Sequence, residues 1–196
     1  MIKFGNDIVT VGGDWLKVIP TPVKITEYPL QQITIQKRAS SEIDWHYQRI
    51  FNGVAVPTTD YAVLKVNCTE MQGSIKLSAA QGSGWVEIDY TSRSPQIING
   101  VNMWVSNMIA YDGTVSATQV TLANFHIIDR IIFDFINYKV YFYSANTCIA
   151  EGSLMSSKSF TPWYVSLSNR STQYPATCNV SGEIWQCFTM EQALSV

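Results

Sequence analysis

The sequence predicts an all-β sandwich, led by a short N-terminal arm and carrying at most one short helix. Three observations carry that expectation. Between Ile131 and Tyr143 two runs of aromatic and β-branched residues flank a polar break at Asn137, the pattern of two strands closed by a tight turn. From Tyr61 onward, segments of apolar alternation recur between Gly, Asn, Ser and Pro, the rhythm of a many-stranded sandwich. No strand-and-helix alternation and no glycine-rich phosphate loop is present, which argues against a doubly wound nucleotide-binding fold. With 196 residues, 46% of them hydrophobic, the chain is long enough to bury one full core.

In chain order, residues 1–20 read as the arm. Ile8-Val9-Thr10-Val11 and Trp15-Leu16-Lys17-Val18-Ile19 alternate about Gly12-Gly13, as two short strands joined at a glycine turn. Pro20-Thr21-Pro22 ends it, because proline stiffens the chain and donates no backbone hydrogen bond. So short a hairpin cannot form its own core, so Phe4, Ile8, Trp15 and Leu16 are expected to anchor it to another surface. Residues 23–196 then form the sandwich, opening with strands from Val23 to Tyr28 and from Gln31 to Lys37. Ser41 with Asp44, the helical spacing of Ile43, Tyr47 and Ile50, and the stop signal Asn52-Gly53 predict a helix from Glu42 to Phe51. A strand is the alternative there, given Trp45, Tyr47 and Phe51. Nine further strands are expected, starting near Tyr61, Ser74, Trp85, Val101, Thr114, Arg130, Lys139, Trp163 and Glu183.

Composition excludes several functions. Only 14% of residues are charged and the formal balance is -2, so no nucleic-acid footprint is present. No apolar run approaches the roughly 20 residues of a bilayer span, and the opening lacks a cationic then apolar leader, so neither membrane insertion nor export is expected. Cys68, Cys148, Cys178 and Cys187 are too sparse for a disulfide scaffold and are expected reduced and buried, although Cys178 and Cys187 are spaced to bridge a hairpin. They fit no zinc pattern, and no metal or cofactor is expected. The sequons at Asn67, Asn169 and Asn179 read as chance matches, and His46 and His126 sit in no catalytic signature.

The hairpin from Ile132 to Tyr143 resembles the strand pair of SPRY and wider concanavalin-like sandwiches, in which an aspartate-bearing apolar strand returns as a Lys-apolar-x-Phe strand. Phe160-Thr161-Pro162-Trp163-Tyr164-Val165-Ser166-Leu167-Ser168 is similar to a second strand of that group. The resemblance implies a jelly-roll or concanavalin-like sandwich, and it departs at Tyr138, where a type I′ turn prefers glycine. Glu87-Ile88-Asp89-Tyr90-Thr91-Ser92 resembles the Glu-x-Asp-x-x-Glu strand of concanavalin-like β-glucanases, except that Ser92 stands where the last glutamate belongs. The strand therefore lacks the second carboxyl group that retaining hydrolysis needs, and Glu87 and Asp89 read as a solvated face.

The opening from Met1 to Leu16 is similar in style to attachment segments of bacteriophage virion proteins. That resemblance implies a virion structural protein of head-fibre, decoration or tail-fibre type, located in the virion and assembled as a trimer. Its arm would bind other virion proteins, and its sandwich would bind a protein or a cell-surface glycan without turnover. The expectation is thus no enzyme and no catalytic residue, with Trp163 and Tyr164 as the candidate glycan or partner contacts. The alternative is a stand-alone carbohydrate-binding or SPRY-like module, and a hydrolase built on Glu87 is a residual third.

Overall fold

The computed structural model describes residues 2–4, 7–12, 15–41, 46–54, 60–73, 75–81, 84–98, 101–111, 115–122, 128–153, 163–169 and 171–196. Side chains are described for 19–41, 46–54, 60–70, 72–73, 75, 77–79, 128–149, 151–152, 164–169 and 171–196.

Fifteen strands and one short helix are found among these residues: β1 (Ile2–Phe4), β2 (Asp7–Gly12), β3 (Trp15–Ile19), β4 (Val23–Ile35), β5 (His46–Val54), β6 (Tyr61–Gln72), β7 (Ile75–Gln81), β8 (Gly84–Ile98), β9 (Val101–Tyr111), β10 (Val115–Leu122), β11 (Arg130–Asp134), β12 (Lys139–Ser144), β13 (Thr147–Ser153), β14 (Trp163–Asn169), β15 (Ala176–Cys187) and α1 (Met190–Ser195). They form a small sheet, β1-β2-β3, and two six-stranded sheets. The first large sheet runs β10-β9-β8-β7-β14-β5 and the second β13-β12-β11-β6-β15-β4, with every neighbouring pair antiparallel. The fold is all-β, in the sandwich arrangement that a jelly roll requires.

One core lies between the two large sheets. Ile75, Leu77, Val165, Leu167, Ile50 and Phe51 of the first meet Leu64, Val66, Ile131, Phe133, Phe142 and Val180 of the second. Alternate residues face inward because side chains on a strand repeat with period two. The sheets come very close at Gly182 in β15, where a Cβ would stand 3.1 Å from the Phe51 ring and 3.2 Å from the Lys65 carbonyl oxygen. A second, smaller cluster covers the outer face of the second sheet, where Tyr61, Val63, Ile132 and Cys187 pack with Ala193 of α1.

Several expectations change. The segments beginning at Val23 and Gln31 are one strand, β4, running through Pro29. Proline is tolerated there because β4 is the edge of its sheet and makes no ladder on that side. The segment expected as a helix is strand β5 from His46 on, its residues 42–45 lying outside the description. The short helix is instead α1, capped by the Thr189 hydroxyl, which accepts from the Gln192 N–H at 3.1 Å while Gln192 Oε1 accepts from the Phe188 N–H at 2.8 Å. Cys178 and Cys187 lie on the same strand, so they cannot bridge a hairpin. No disulfide joins the four cysteines; three are buried and Cys148 is exposed.

The hairpin keeps its two strands but uses a longer turn, residues 135–138, with Tyr138 in the left-handed region at φ 54°. Its register pairs Phe133 with Val140 and Ile132 with Tyr141. Phe133 and Phe135 therefore enter the core, stacked at 6.4 Å, whereas Tyr141 and Tyr143 lie on the opposite face beside α1. The four aromatics do not form one face. Within the small sheet, Phe4 belongs to β1, Ile8 to β2, and Trp15 and Leu16 to β3; their side chains lie outside the description.

Candidate functional site

The first sheet turns its inner face to the core with Val165, Leu167, Ile75, Leu77 and Ala79. Its outer face therefore carries the alternate positions, Tyr164, Ser166 and Ser168 on β14 and Ser78 on β7. The edge strand β5 adds aromatic and cationic groups. Its register with β14 shifts between Val165 and Ser166, a bulge that lets Ile50 and Phe51 both be buried while Tyr47 and Arg49 stay exposed. Re-aiming a side chain is a common consequence of such a bulge.

Arg49 organises this end of the face. Its guanidinium lies 4.6 Å from the Tyr164 ring centroid and 5.5 Å from that of Tyr47, and Nη1 donates to Asn52 Oδ1 at 2.7 Å. Each contact on an aromatic face contributes about 0.5–1 kcal/mol where exposed. Tyr47 is 58% exposed, and Tyr164 is half-buried.

Register extends the face across the sheet. Arg49 pairs with Ser166, Ser166 with Ser78, and Ser78 with Glu87; in the next row Tyr47 pairs with Ser168, Ser168 with Lys76, and Lys76 with Asp89. Ile88 pairs with the buried Leu77, so Glu87 and Asp89 hold outer-face register positions, as their alternation predicts. A register irregularity separates Asp89 from Ser94, enclosing Ser92. The side chains of Glu87 and Asp89 lie outside the description, as does that of Trp163, the first residue of β14. Tyr164 is one of the two candidate contacts expected from the sequence, whereas Arg49 and Tyr47 fall in the segment expected as a helix.

The second sheet has a concavity of about 650 Å³ on its outer side, lined by Glu27, Lys65, Asn67, Asp129, Arg130 and Glu183 among others. Its charges are engaged internally. Glu183 lies 3.2 Å from Lys24 and 3.8 Å from Lys65, and accepts from Trp185 Nε1 at 2.7 Å. Burial works to raise its carboxyl, but the hydrogen bonds from Trp185 and Lys24 and the two lysine charges outweigh it and leave the pKa lowered. Arg130 donates to the carbonyls of Ala193, Leu194 and Ala145 at the end of the chain and in the β12–β13 turn. Asp129 Oδ1 alone is left buried without a donor, and one open acceptor is not a recognition set. Among the described residues no three His, Cys, Asp or Glu side chains group to hold a metal, and no helix is long and apolar enough to cross a membrane.

No family model matches the sequence, and no curated protein matches it. Solved structures do. A native glycosidic hydrolase is similar over 79% of this chain and 77% of its own, at 7% identity and TM-score 0.49. The β-glucanase of Bacillus licheniformis is similar over 80% and 78%, at 10% identity and TM-score 0.46. The legume lectin-like domain from Entamoeba histolytica is similar over 91% and 87%, at 12% identity and TM-score 0.42.

These findings correct the expectation of a bacteriophage virion structural protein. The solved structures named above are two hydrolases and a lectin-like domain, and none of the three is a fibre or decoration protein. The virion partners, the trimer attached to them and the exclusion of enzymatic activity are withdrawn with it. At such identities the likeness is one of sandwich architecture alone.

Proposed function

We propose that the chain is a carbohydrate-binding β-sandwich module whose binding surface is the outer face of the first sheet. The observation that carries this reading is the cluster of Tyr47, Arg49 and Tyr164, which presents two phenol rings and a guanidinium beside the half-buried Ser166 on the outer face of the sheet. Sugars offer both C–H surfaces and hydroxyl groups, and rings with a polar edge meet both. The concavity of the second sheet is the weaker candidate, because its charged groups already satisfy one another. Affinity electrophoresis against a panel of polysaccharides tests the proposal. Binding that weakens about tenfold in Tyr164→Ala, in protein shown by circular dichroism to remain folded, supports it. Retardation by no glycan, or equal retardation of wild type and of a Tyr47→Ala/Tyr164→Ala variant, rejects it.

A second reading, hydrolysis of the bound glycan, is favoured by the register positions of Glu87 and Asp89 on the same face. Alternate positions on an extended strand face the same side of the sheet, and glycosidic hydrolysis uses a pair of carboxyl groups.

A further inference from the structure

Among the described residues, three lysines are spent on carboxylates. Lys24 lies 2.6 Å from Glu27 and 3.2 Å from Glu183, Lys65 is 3.8 Å from Glu183, and Lys139 is 3.0 Å from Glu151. Arg130 is used up on three main-chain carbonyls. Arg49 differs from all of these: its contacts are the Asn52 side-chain oxygen and the two tyrosine rings, and no carboxylate pairs with it among the described residues. A guanidinium has five N–H donors, and one N–H···O bond here leaves most of them without an acceptor.

The described register positions of its row, too, bring no carboxylate near it. Along its own row come Ser166 and Ser78, and the first carboxylate position is Glu87, three strands away. That is roughly 14 Å at ~4.8 Å per strand, beyond the ~8–10 Å over which salt screens an exposed charge. Stacking over Tyr164 and the bond to Asn52 fix where the group stands. A pre-positioned guanidinium loses less entropy per hydrogen bond formed than a free one, and its planar fork matches carboxylate and sulfate oxygens two at a time.

We infer that the outer face of the first sheet selects glycans bearing an anionic substituent, and that Arg49 is the residue that receives it. The inference rests on the carbohydrate-binding reading above and adds the chemical class of the ligand. The shared chemistry is a planar or tetrahedral oxyanion on a sugar ring, supplied either by a uronate carboxylate or by a sulfate ester. Tyr47 and Tyr164 then hold the ring that bears it.

Matched pairs of polysaccharides separate the outcomes. Polygalacturonate is compared with its fully methyl-esterified form, and a sulfated galactan with the same galactan after desulfation, using the full chain. The expected result is binding at least about tenfold tighter to the anionic member of one pair, weakened by added salt as an ion-pair contact must be. Whichever pair shows the difference identifies the carboxylate or the sulfate as the source. Arg49→Gln should abolish the difference between the two members of the pair, in protein shown by circular dichroism to remain folded. Arg49→Lys, a point charge without the fork, should restore only part of it. Equal binding of both members in both pairs, or a preference that survives in Arg49→Gln, overturns the inference and leaves the carbohydrate-binding reading standing. Binding to none of the four overturns both.

Discussion

Asp134 Oδ1 accepts the backbone N–H groups of Ile136 and Asn137, each at 2.9 Å, while Asp134 Oδ2 accepts the Asn137 side-chain amide at 2.8 Å. The aspartate that ends β11 thus holds the turn that starts β12, and it is 1% exposed. Replacing it by alanine leaves these donors without their charged acceptor, a loss of about 2–3 kcal/mol. Asp134→Ala should lower the urea midpoint accordingly, and an unchanged midpoint would show that the turn closes without it.

Tyr138 sits four residues further on at φ 54°, where a side chain with a Cβ is strained by roughly 1 kcal/mol. Tyr138 is 38% exposed, and it belongs to neither buried cluster, so the packing lost on removing its ring is set against the relief of backbone strain. Tyr138→Gly should therefore match or exceed wild-type stability in thermal unfolding, against the usual cost of an aromatic-to-glycine change. A clear drop would mean that the ring, not the backbone, governs this position.

Gly182 allows the two sheets to approach at Phe51. Adding a methyl group there pushes against both the ring and the Lys65 carbonyl, a strain of about 1–3 kcal/mol. Gly182→Ala should be destabilising, and less so in a Phe51→Leu background because the two positions share one space. Strict additivity in the double-mutant cycle would deny the contact.

Asn169 is fully buried, and its amide donates to the carbonyls of Ile35, Gln36 and Tyr174 while its oxygen accepts from the Ser171 N–H. It fastens β14 to the end of β4 and to the loop that enters β15. Asn169→Ala strands these groups and should cost about 2–3 kcal/mol. The burial also closes the Asn169 sequon to modification in the folded state, so a denaturation midpoint that ignores the substitution is the result that would count against this role.

These contacts mark where the sequence is legible and where it is not. Alternation around Leu77, Ile131 and Val165 announces inward faces directly, because period two is a local property. The length of β4 is hidden, since Pro29 reads as a break until the strand is known to be an edge. Register is hidden as well: the four-residue turn at 135–138 decides that Tyr141 leaves the face of Phe133, and nothing in the residue types specifies it. The bulge in β5 buries Ile50 next to Phe51 and mimics helical spacing, so Arg49 and Tyr47 were not recognisable as a site. The start of α1 was recognisable, since Thr189 followed three residues later by Gln192 is a capping signal.

The pH response has two limbs. Burial pushes the Cys187 thiol from its ordinary 9.0 to about 12, and burial likewise raises Tyr28, Tyr61, Tyr141 and Tyr143. Groups raised on folding contribute stability that is complete below their unfolded values and is lost as pH climbs through the folded ones. For Cys187 the loss falls between about pH 9 and 12, and stability should decline there. Glu183 has the opposite sign, because its carboxyl is lowered: its contribution is present above the ordinary carboxylate range and fades as pH falls through its folded value. Urea midpoints across pH should fall at both ends, with Glu183→Gln flattening the acid limb alone.

The hydrolysis reading places its chemistry on the carboxylate register of β8. Glu87 and Asp89 stand at outer-face positions beside Ser78 and Lys76, on the same sheet as the aromatic cluster. Ser92 lies in the irregular stretch after Asp89 and supplies no acid, so the two alternate positions are the pair available on that strand. A general acid or base contributes about 10²–10⁴-fold to such a reaction. Release of reducing ends from a bound glycan should therefore drop at least about a hundredfold in Glu87→Gln, while affinity in electrophoresis is retained, because the Tyr47–Arg49–Tyr164 end of the face is untouched. Release that persists undiminished in both Glu87→Gln and Asp89→Asn would remove β8 from the chemistry, and retardation lost together with release would show Glu87 to be a binding residue.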